Sequence, residues 1–455
     1  MIDVIKHFLS DFLIIPIIFI LGAYLSYKLK FLQIVKFPRG FKLFLLERDP
    51  SGKPSSFSAV AAVLGGNLGT GNIAGIAVAL KAGGPGSLFW MWVMALLGAA
   101  IKFTGCTLGV LYRQKHPNGG FFGGPMYYLE KGLNLPFLAK LFALATICGA
   151  MTVGNWVQMH SVALPMSQSG VHPLTSGVAM SLLVGLVIFG GLKRFNKVVS
   201  IIVPFMALGY ISTCLLIIFQ NLDKVLPSFH LIFNGAFSPS TVMGGVMGFT
   251  VLEAIRTGFD RGLFATDVGV GLAPIIHSSV DNPELSQRQV ALTQGLISTI
   301  PPIIVMIVCM MTGLVLMVTD AWMLPGVEST IMCVEAFKSG LGDHLAAPTV
   351  TIILIFFAYT TILTWSFCAD RAIEYLFSRK WVPYFQFLFT LFIPLGTLFT
   401  VNMVWSLADI FMNCMLLINV VGIVGLCKLV FKEVNLNEYP FQSIKKGFSP
   451  SLKSR

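Results

Sequence analysis

Charge is what this chain has least of. Only 11% of its 455 residues are Asp, Glu, Lys or Arg, against roughly 25% in a soluble domain. No stretch is polar enough to form a soluble domain. The eight cysteines, Cys106, Cys148, Cys214, Cys309, Cys333, Cys368, Cys414 and Cys427, include no C-x-x-C pair. Neither a disulfide framework nor a cysteine metal site is indicated. The run Gly119-Gly120-Phe121-Phe122-Gly123-Gly124 lacks the Gly-Lys-Ser/Thr end of a phosphate loop. Gly69-x-Gly71-x-x-x-Gly75 misses the dinucleotide spacing and follows no strand. With no zinc motif and no convincing Ser/His/Asp grouping, the chain does not read as an enzyme, and no organic cofactor is expected.

Hydrophobic residues make up 55% of the chain and mean hydropathy is +0.81. The sequence therefore predicts an all-α, polytopic membrane protein. The net charge of +11 is read as Lys and Arg gathered on cytoplasmic loops, not as a nucleic-acid surface. Apolar runs of about 20 residues count as spanning helices. There are eleven, at 11–28, 57–80, 87–112, 137–165, 174–192, 199–219, 241–278, 291–318, 349–377, 382–400 and 402–430. The first lacks an A-x-A cleavage pattern, and its positive charge follows the apolar run, so it is read as a retained helix.

The 57–80 run is unusual. Near its middle stands Gly69-Thr70-Gly71-Asn72, where glycine costs about 1 kcal/mol against alanine and Asn and Thr need polar partners. An unwound helix whose freed backbone faces a polar ligand is predicted, since irregular backbone at membrane depth survives where it lines a cavity. Gly65, Gly66 and Gly75 alone are equally suited to close helix packing.

Positive clusters at 28–53, Arg113/Lys115/Lys131, Lys193/Arg194/Lys197, Arg256/Arg261/Arg288, Arg371/Arg379/Lys380 and the tail from Lys428 alternate with positive-poor loops. Eleven spans with the N-terminus outside and the C-terminus cytoplasmic put every cluster on one side of a cell membrane. Cys333, in the outer loop 319–348, is then expected to be reachable by a thiol reagent. Without the first helix, ten spans divide five and five, in opposite directions. The expected units are 1–56 (extra helix and basic loop), 57–220 (first repeat), 241–430 (second repeat) and 431–455 (tail). Both halves begin with a glycine-interrupted segment, the sequence pointer to a transporter site.

The residues also resemble a known family. Gly69-Thr70-Gly71-Asn72-Ile73-Ala74-Gly75-Ile76-Ala77 is similar to the first core helix of the sodium:alanine (alanine/glycine:cation) symporters. Further matches include Gly83-Gly84-Pro85-Gly86, Gly123-Gly124-Pro125-Met126-Tyr127-Tyr128, Gly154-Asn155, Arg261-Gly262-Leu263-Phe264 and Phe357-Ala358-Tyr359-Thr360-Thr361. The resemblance implies a leucine-transporter-like core of two inverted five-helix repeats with broken first helices. It also implies sodium-driven uptake of a small neutral amino acid, alanine or glycine. The sequence departs from the family pattern twice. Ala265-Thr266-Asp267-Val268-Gly269 stands where the family has Ser-Asn-Glu-Ala-Gly, and Ile303-Ile304-Val305-Met306 where it has Phe-Ile-Asp-Thr. These departures leave open a proton-coupled transporter of another small solute, with Asp267 the coupling candidate.

For a zwitterionic substrate, Gly69, Thr70, Gly71 and Asn72 are expected to present backbone N–H groups to the carboxylate. Carbonyls near Gly66 and Gly69 would accept from the cation. Thr360 and Thr361 either back-bond within their helix or, as the resemblance implies, give hydroxyl oxygens to sodium. Trp365, four residues on, shares a face with Thr361 and either closes the pocket or simply packs. Asn155 and Gln158, three apart, share a face and line the cavity or join helices. Lys102, Glu253, Asp260, Asp267 and Asp409 lie in or near apolar spans and are functional candidates by default. For Glu253 an ion pair with Arg256 is the favoured alternative.

Overall fold

The computed structural model describes residues 13–46, 54–116, 120–238, 250–327 and 329–436. The glycines at 244, 245 and 248 and the tail beyond 436 lie outside them. Helix α1 (Ile15–Lys28) starts on Pro16 and is followed by short helices Leu32–Val35 and Phe37–Leu46. Helix α2 (Ser56–Asn67) opens on a capping box, in which Ser55 Oγ accepts from Ser58 N and Ser58 Oγ from Ser55 N. It stops at Asn67. A tight turn at Thr70–Asn72 follows, then α3 (Ala74–Gly83), so the predicted 57–80 helix is broken at Leu68–Ile73.

Next come α4 (Gly86–Leu111), a two-stranded antiparallel hairpin pairing Gln114–Lys115 with Phe121–Phe122, and α5 (Pro136–Gln168), which carries a wide π turn at Thr152–Trp156. Helices α6 (Pro173–Ile188), α7 (Gly191–Phe219) and α8 (Leu222–Phe237) complete the first part. Helix α9 (Val251–Thr266) opens on a second capping box, where Glu253 accepts from the Thr250 N–H. Glu253 thus serves the helix end, not primarily Arg256. A break at Asp267–Gly271 leads to α10 (Leu272–His277). Beyond it lie α11 (Gln287–Val318), α12 (Ser329–Leu341), α13 (Asp343–Leu376), α14 (Val382–Leu391) and α15 (Val401–Leu436).

Among the described residues six helices are long and apolar enough to cross a bilayer: α4, α5, α7, α11, α13 and Met403–Asn435 within α15. Helices α1, α2, α3 and α6 are apolar but shorter. Three expectations change. The predicted 382–400 span is the ten-residue α14 followed by a 3-10 turn at Ile393–Thr397. The stretch after 219 is not a loop but the helix α8. The loop 319–348 contains α12, and Cys333 within it is fully buried with its thiol toward the Ile73 carbonyl. It is not a surface reporter.

Packing explains the glycine content. A Cβ on Gly258 would lie 2.6 Å from the Ser87 carbonyl oxygen, and one on Gly98 2.4 Å from Val268. These absences let α4 and α9 approach as membrane helices do, through small residues. The outward faces of α6 and α7 present Leu182, Leu186, Ile201, Phe205 and Leu208. Such a belt is unfavourable against water but matched to hydrocarbon.

Candidate functional site

Ending a helix strands its last carbonyls. At the end of α2 two of them, those of Gly65 and Asn67, are met by side chains, as is the Ala62 carbonyl one turn earlier. Gly65 O accepts from Thr361 Oγ1 at 2.9 Å, and Ala62 O from Thr364 Oγ1 at 3.0 Å. Asn67 O accepts from Asn72 Nδ2 at 2.6 Å. Asn72 Nδ2 also donates to Gly69 O at 3.2 Å, so this one amide folds the unwound segment back on itself. Its own backbone oxygen and Oδ1 are held by Thr312 Oγ1 and Cys309 Sγ of α11. Thr360 sits beside α2 but spends its hydroxyl on the Phe356 and Phe357 carbonyls and Met206 Sδ.

On the other side of the break, Gln158 Oε1 accepts from both Thr70 N and Thr70 Oγ1, each at 3.1 Å. Its Nε2 is fixed on Val153 O at 3.0 Å. A Cβ on Gly69 would stand 2.9 Å from Thr361 Oγ1 and 3.0 Å from Gln158 Oε1. Gly69, Thr361 and Gln158 therefore meet at one point. Gly71 is covered by Phe264, whose ring carbon lies 2.5 Å from where a Cβ would be. Phe264 in turn stacks on Trp405, with ring centroids 4.7 Å apart. Arg261 lies over the same Trp405 and pairs with Asp409 at 3.4 Å. Every residue from Asn67 to Ala74 is buried.

Two predicted residues stand differently. Asn155 donates its Nδ2 to Phe389 O of α14 at 2.9 Å, away from the Gln158–Thr70 contact. Asn155 lies inside the π turn, which inserts an extra residue and spoils the i, i+3 register assumed from sequence. Trp365 is fully buried with its ring against Gly149 and Gly154 of α5, so it buttresses the turn that carries Gln158. Gly66 packs on Thr364. The residues missed were Thr364 and the Gly65 carbonyl. Thr361 and Thr364 are i, i+3 on α13, a signal the sequence did contain.

The second break is built otherwise. Asp267 takes a left-handed conformation (φ 50°), as do Gly269 (φ 76°) and Gly271 (φ 102°), the region where glycine costs nothing. The carbonyl of Thr266 receives both Asn67 Nδ2 and Lys102 Nζ, each at 2.8 Å. Asp267 is buried, with Oδ2 lacking a hydrogen-bond partner and Lys102 within electrostatic reach. Asn419 Nδ2 donates to Gly269 O at 2.7 Å, and Tyr128 donates to Asn419 Oδ1.

Interrupted helices whose freed backbone meets buried hydroxyls and amides, in a chain with six helices long and apolar enough to cross a bilayer among its described residues, are the arrangement of a helical, polytopic membrane transporter of solutes. The chain belongs to the sodium:alanine symporter family, which it matches over residues 1–454. It is 40% identical over 429 residues to an uncharacterized transporter of Haemophilus influenzae, covering 93% of this chain and 92% of that one. It is 36% identical to the sodium/alanine symporter AgcS of Methanococcus maripaludis (92% and 93% covered). It is 31% identical to the probable sodium/glutamine symporter GlnT of Bacillus subtilis (96% and 90%). Among solved structures it resembles MhsT in complex with L-phenylalanine, with a TM-score of 0.58 at 13% identity, covering 81% of this chain and 88% of that one. It also resembles an Eremococcus coleocola manganese transporter, with a TM-score of 0.53 at 13% identity (80% and 76% covered). These last two speak to fold alone.

Proposed function

We propose that this chain is a secondary-active symporter carrying a small neutral amino acid, alanine or glycine, into the cell with sodium. The carrying observation is the meeting of Thr361, Gln158 and the unwound Gly69–Asn72 segment at one buried point. Sodium is a hard cation and takes oxygen ligands. Gly65 O with Thr361 Oγ1, and Ala62 O with Thr364 Oγ1 one turn away, supply neutral oxygens of that kind. Gly66, Gly69 and Thr360 are the adjoining candidates. The substrate carboxylate would take Thr70 N–H and its hydroxyl, donors that Gln158 Oε1 occupies meanwhile. Phe264 packed over Gly71 restricts the space beside it, which favours a small solute, while Asn155 and Trp365 hold the turn that aims Gln158.

The architecture proposed is eleven spans, α1 plus two inverted sets of five, each set opening on a broken helix (α2/α3 and α9/α10), with α14 and its 3-10 extension to Thr397 counted as the shortest span. The units are 1–56, 57–220, 241–430 and 431–455, with the N-terminus outside and the C-terminus cytoplasmic. The test is uptake of radiolabelled alanine and glycine into proteoliposomes, with and without a sodium gradient. Alanine and glycine should compete, and leucine and lysine should not. Inhibition by bulky or charged amino acids equal to that by alanine defeats the small-pocket reading. A second reading, proton coupling through Asp267, is favoured by the buried Lys102–Asp267 neighbourhood at the other break. A relative 34% identical carries the name of a putative sodium/proton-dependent alanine carrier. Uptake that follows a pH gradient in sodium-free buffer would select it.

A further inference from the structure

Helix α1 does not run straight on toward α2. It ends in two bonds that turn the chain aside, Phe31 N donating to Ser26 O at 2.8 Å and Lys30 N to Tyr27 O at 3.1 Å. Lys30 and Phe31 stand at φ 54° and 51°, and such pairing closes a helix over a left-handed residue. The chain continues as the helices Leu32–Val35 and Phe37–Leu46. One face of this segment is fixed to the protein, with Leu32, Gln33, Gly40 and Leu43 buried. Gln33 Nε2 donates to Ser26 Oγ at 2.7 Å. A Cβ on Gly40 would lie 3.2 Å from Leu296 of α11, and Phe44 stacks on Phe57 of α2 with ring centroids 5.2 Å apart.

The other face carries two chemistries. Phe31, Ile34, Val35, Phe41 and Leu45 are exposed, Ile34 at 50% and Val35 at 64%. Lys28, Lys30, Lys36 and Lys42 are exposed among them. From Lys28 to Leu46 the chain has no Asp or Glu, and none of these four ammonium groups is in an ion pair among the described residues. On the longer helix the exposed Pro38, Phe41, Lys42 and Leu45 follow the i, i+3, i+4, i+7 spacing of a single face. Water would suit the lysines but not the five apolar side chains, and hydrocarbon would reject the lysines. A basic loop in water accounts for the charge but not for this apolar exposure. Both are met at the boundary between acyl chains and headgroups, where an amphipathic helix lies in the plane of the bilayer.

We infer that residues 28–46 form an interfacial platform for anionic phospholipid, with the apolar side chains among the acyl chains and Lys28, Lys30, Lys36 and Lys42 on the phosphates. Neutral phospholipid would supply the acyl chains but bring a cation of its own to each phosphate. A free phosphate would leave the apolar face unmet. A second copy of this chain would set four more ammonium groups against these four. Attraction between such cations and an anionic leaflet falls off within a Debye length, so the contact is sensitive to salt. The inference does not depend on which solute is transported.

The test is labelling of the purified full-length protein, in neutral detergent, with a photoactivatable phosphatidylglycerol, followed by peptide mapping. Label is expected on the 28–46 segment. Unlabelled phosphatidylglycerol should compete for it, phosphatidylcholine about tenfold less well, and glycerol phosphate not at all. Raising the ionic strength should reduce the label severalfold. Lys28→Gln, Lys30→Gln, Lys36→Gln and Lys42→Gln together should lower it about tenfold, whereas the four corresponding Lys→Arg changes should preserve it. The competitor and salt series use the unaltered chain, so they decide the matter even where the Gln variant folds poorly. Equal competition by phosphatidylcholine, or labelling indifferent to salt, makes this ordinary lipid packing and overturns the proposal. Full competition by glycerol phosphate assigns a free-phosphate site, and a disulfide-linked dimer through Val35→Cys assigns the face to a second copy. Either result overturns it too.

Discussion

Asn67 ends the helix before the first break and Thr266 the helix before the second, yet the freed carbonyls beyond them meet different groups. At the first break the carbonyls meet neutral donors, two threonine hydroxyls and an asparagine amide. At the second, the Thr266 carbonyl is held by the Lys102 ammonium, with Asp267 beside it. A carbonyl cluster met only by neutral donors can still take an outside cation. One already met by a tethered ammonium has its cation built in. The difference predicts that the first break binds and releases while the second acts as a fixed joint.

The largest effect should come from removing the fixed cation. Lys102→Ala leaves Thr266 O short of a donor and Asp267 without its counter-charge. Leaving a buried carbonyl and a buried carboxyl unmet costs roughly 1–3 kcal/mol each, so thermal stability in detergent should fall sharply. Lys102→Met combined with Asp267→Asn should recover part of the loss, because no lone charge then remains. An unchanged melting temperature in Lys102→Ala would mean the two breaks are not held differently.

Next is Gly71→Leu. The Phe264 ring already occupies the space beside Gly71, so a side chain there must displace it from the break. Uptake should be abolished while the protein still elutes as a single folded species on size exclusion. Substantial residual uptake would show that the solute does not pass this point.

Thr361→Ala follows, aimed at the first break alone. The sodium concentration for half-maximal uptake should rise about tenfold or more, while Thr361→Ser keeps most of the activation. Thr364→Ala should move it in the same direction but less. Equal sodium activation in Thr361→Ala and the parent protein would remove this hydroxyl from the cation site.

The two breaks also differed in how far the sequence disclosed them. The first was legible because Thr70 and Asn72 interrupt an apolar run where polar groups need a reason. The second was placed only within 241–278, because glycine there serves two ends. Gly258 and Gly262 permit close packing on α4, whereas Gly269 and Gly271 adopt positive φ, and composition cannot separate these uses. Helix α8 and α12 were missed for want of a long apolar run. The shared face of Asn155 and Gln158 failed because hydrophobic periodicity assumes an unbroken 3.6-residue turn, and the π turn at Thr152–Trp156 violates it. Thr361 was legible from family resemblance, but which carbonyl opposes it depends on helix register, which only the fold supplies.

The smallest expected effect concerns Gln158, and its direction is what matters. In this conformation Gln158 Oε1 takes both Thr70 donors, the donors proposed for the substrate carboxylate. If the amide is a placeholder, a substrate must first displace it, and apparent affinity is reduced by the fraction of protein held in the occupied state. The two bonds share one acceptor oxygen, and together they contribute about 1 kcal/mol net, as one neutral hydrogen bond does. Freeing the donors in Gln158→Ala should therefore lower the alanine KM by roughly three- to tenfold, since 1.4 kcal/mol is a factor of ten. The maximal rate should fall at the same time, because the amide no longer helps expel the carboxylate. Were Gln158 instead a direct substrate ligand, the same substitution would raise KM. Initial rates of alanine uptake in saturating sodium separate the two cases. Repeating them in the Thr361→Ala background shows whether carboxylate and cation sites act independently, as two opposite sides of one break should.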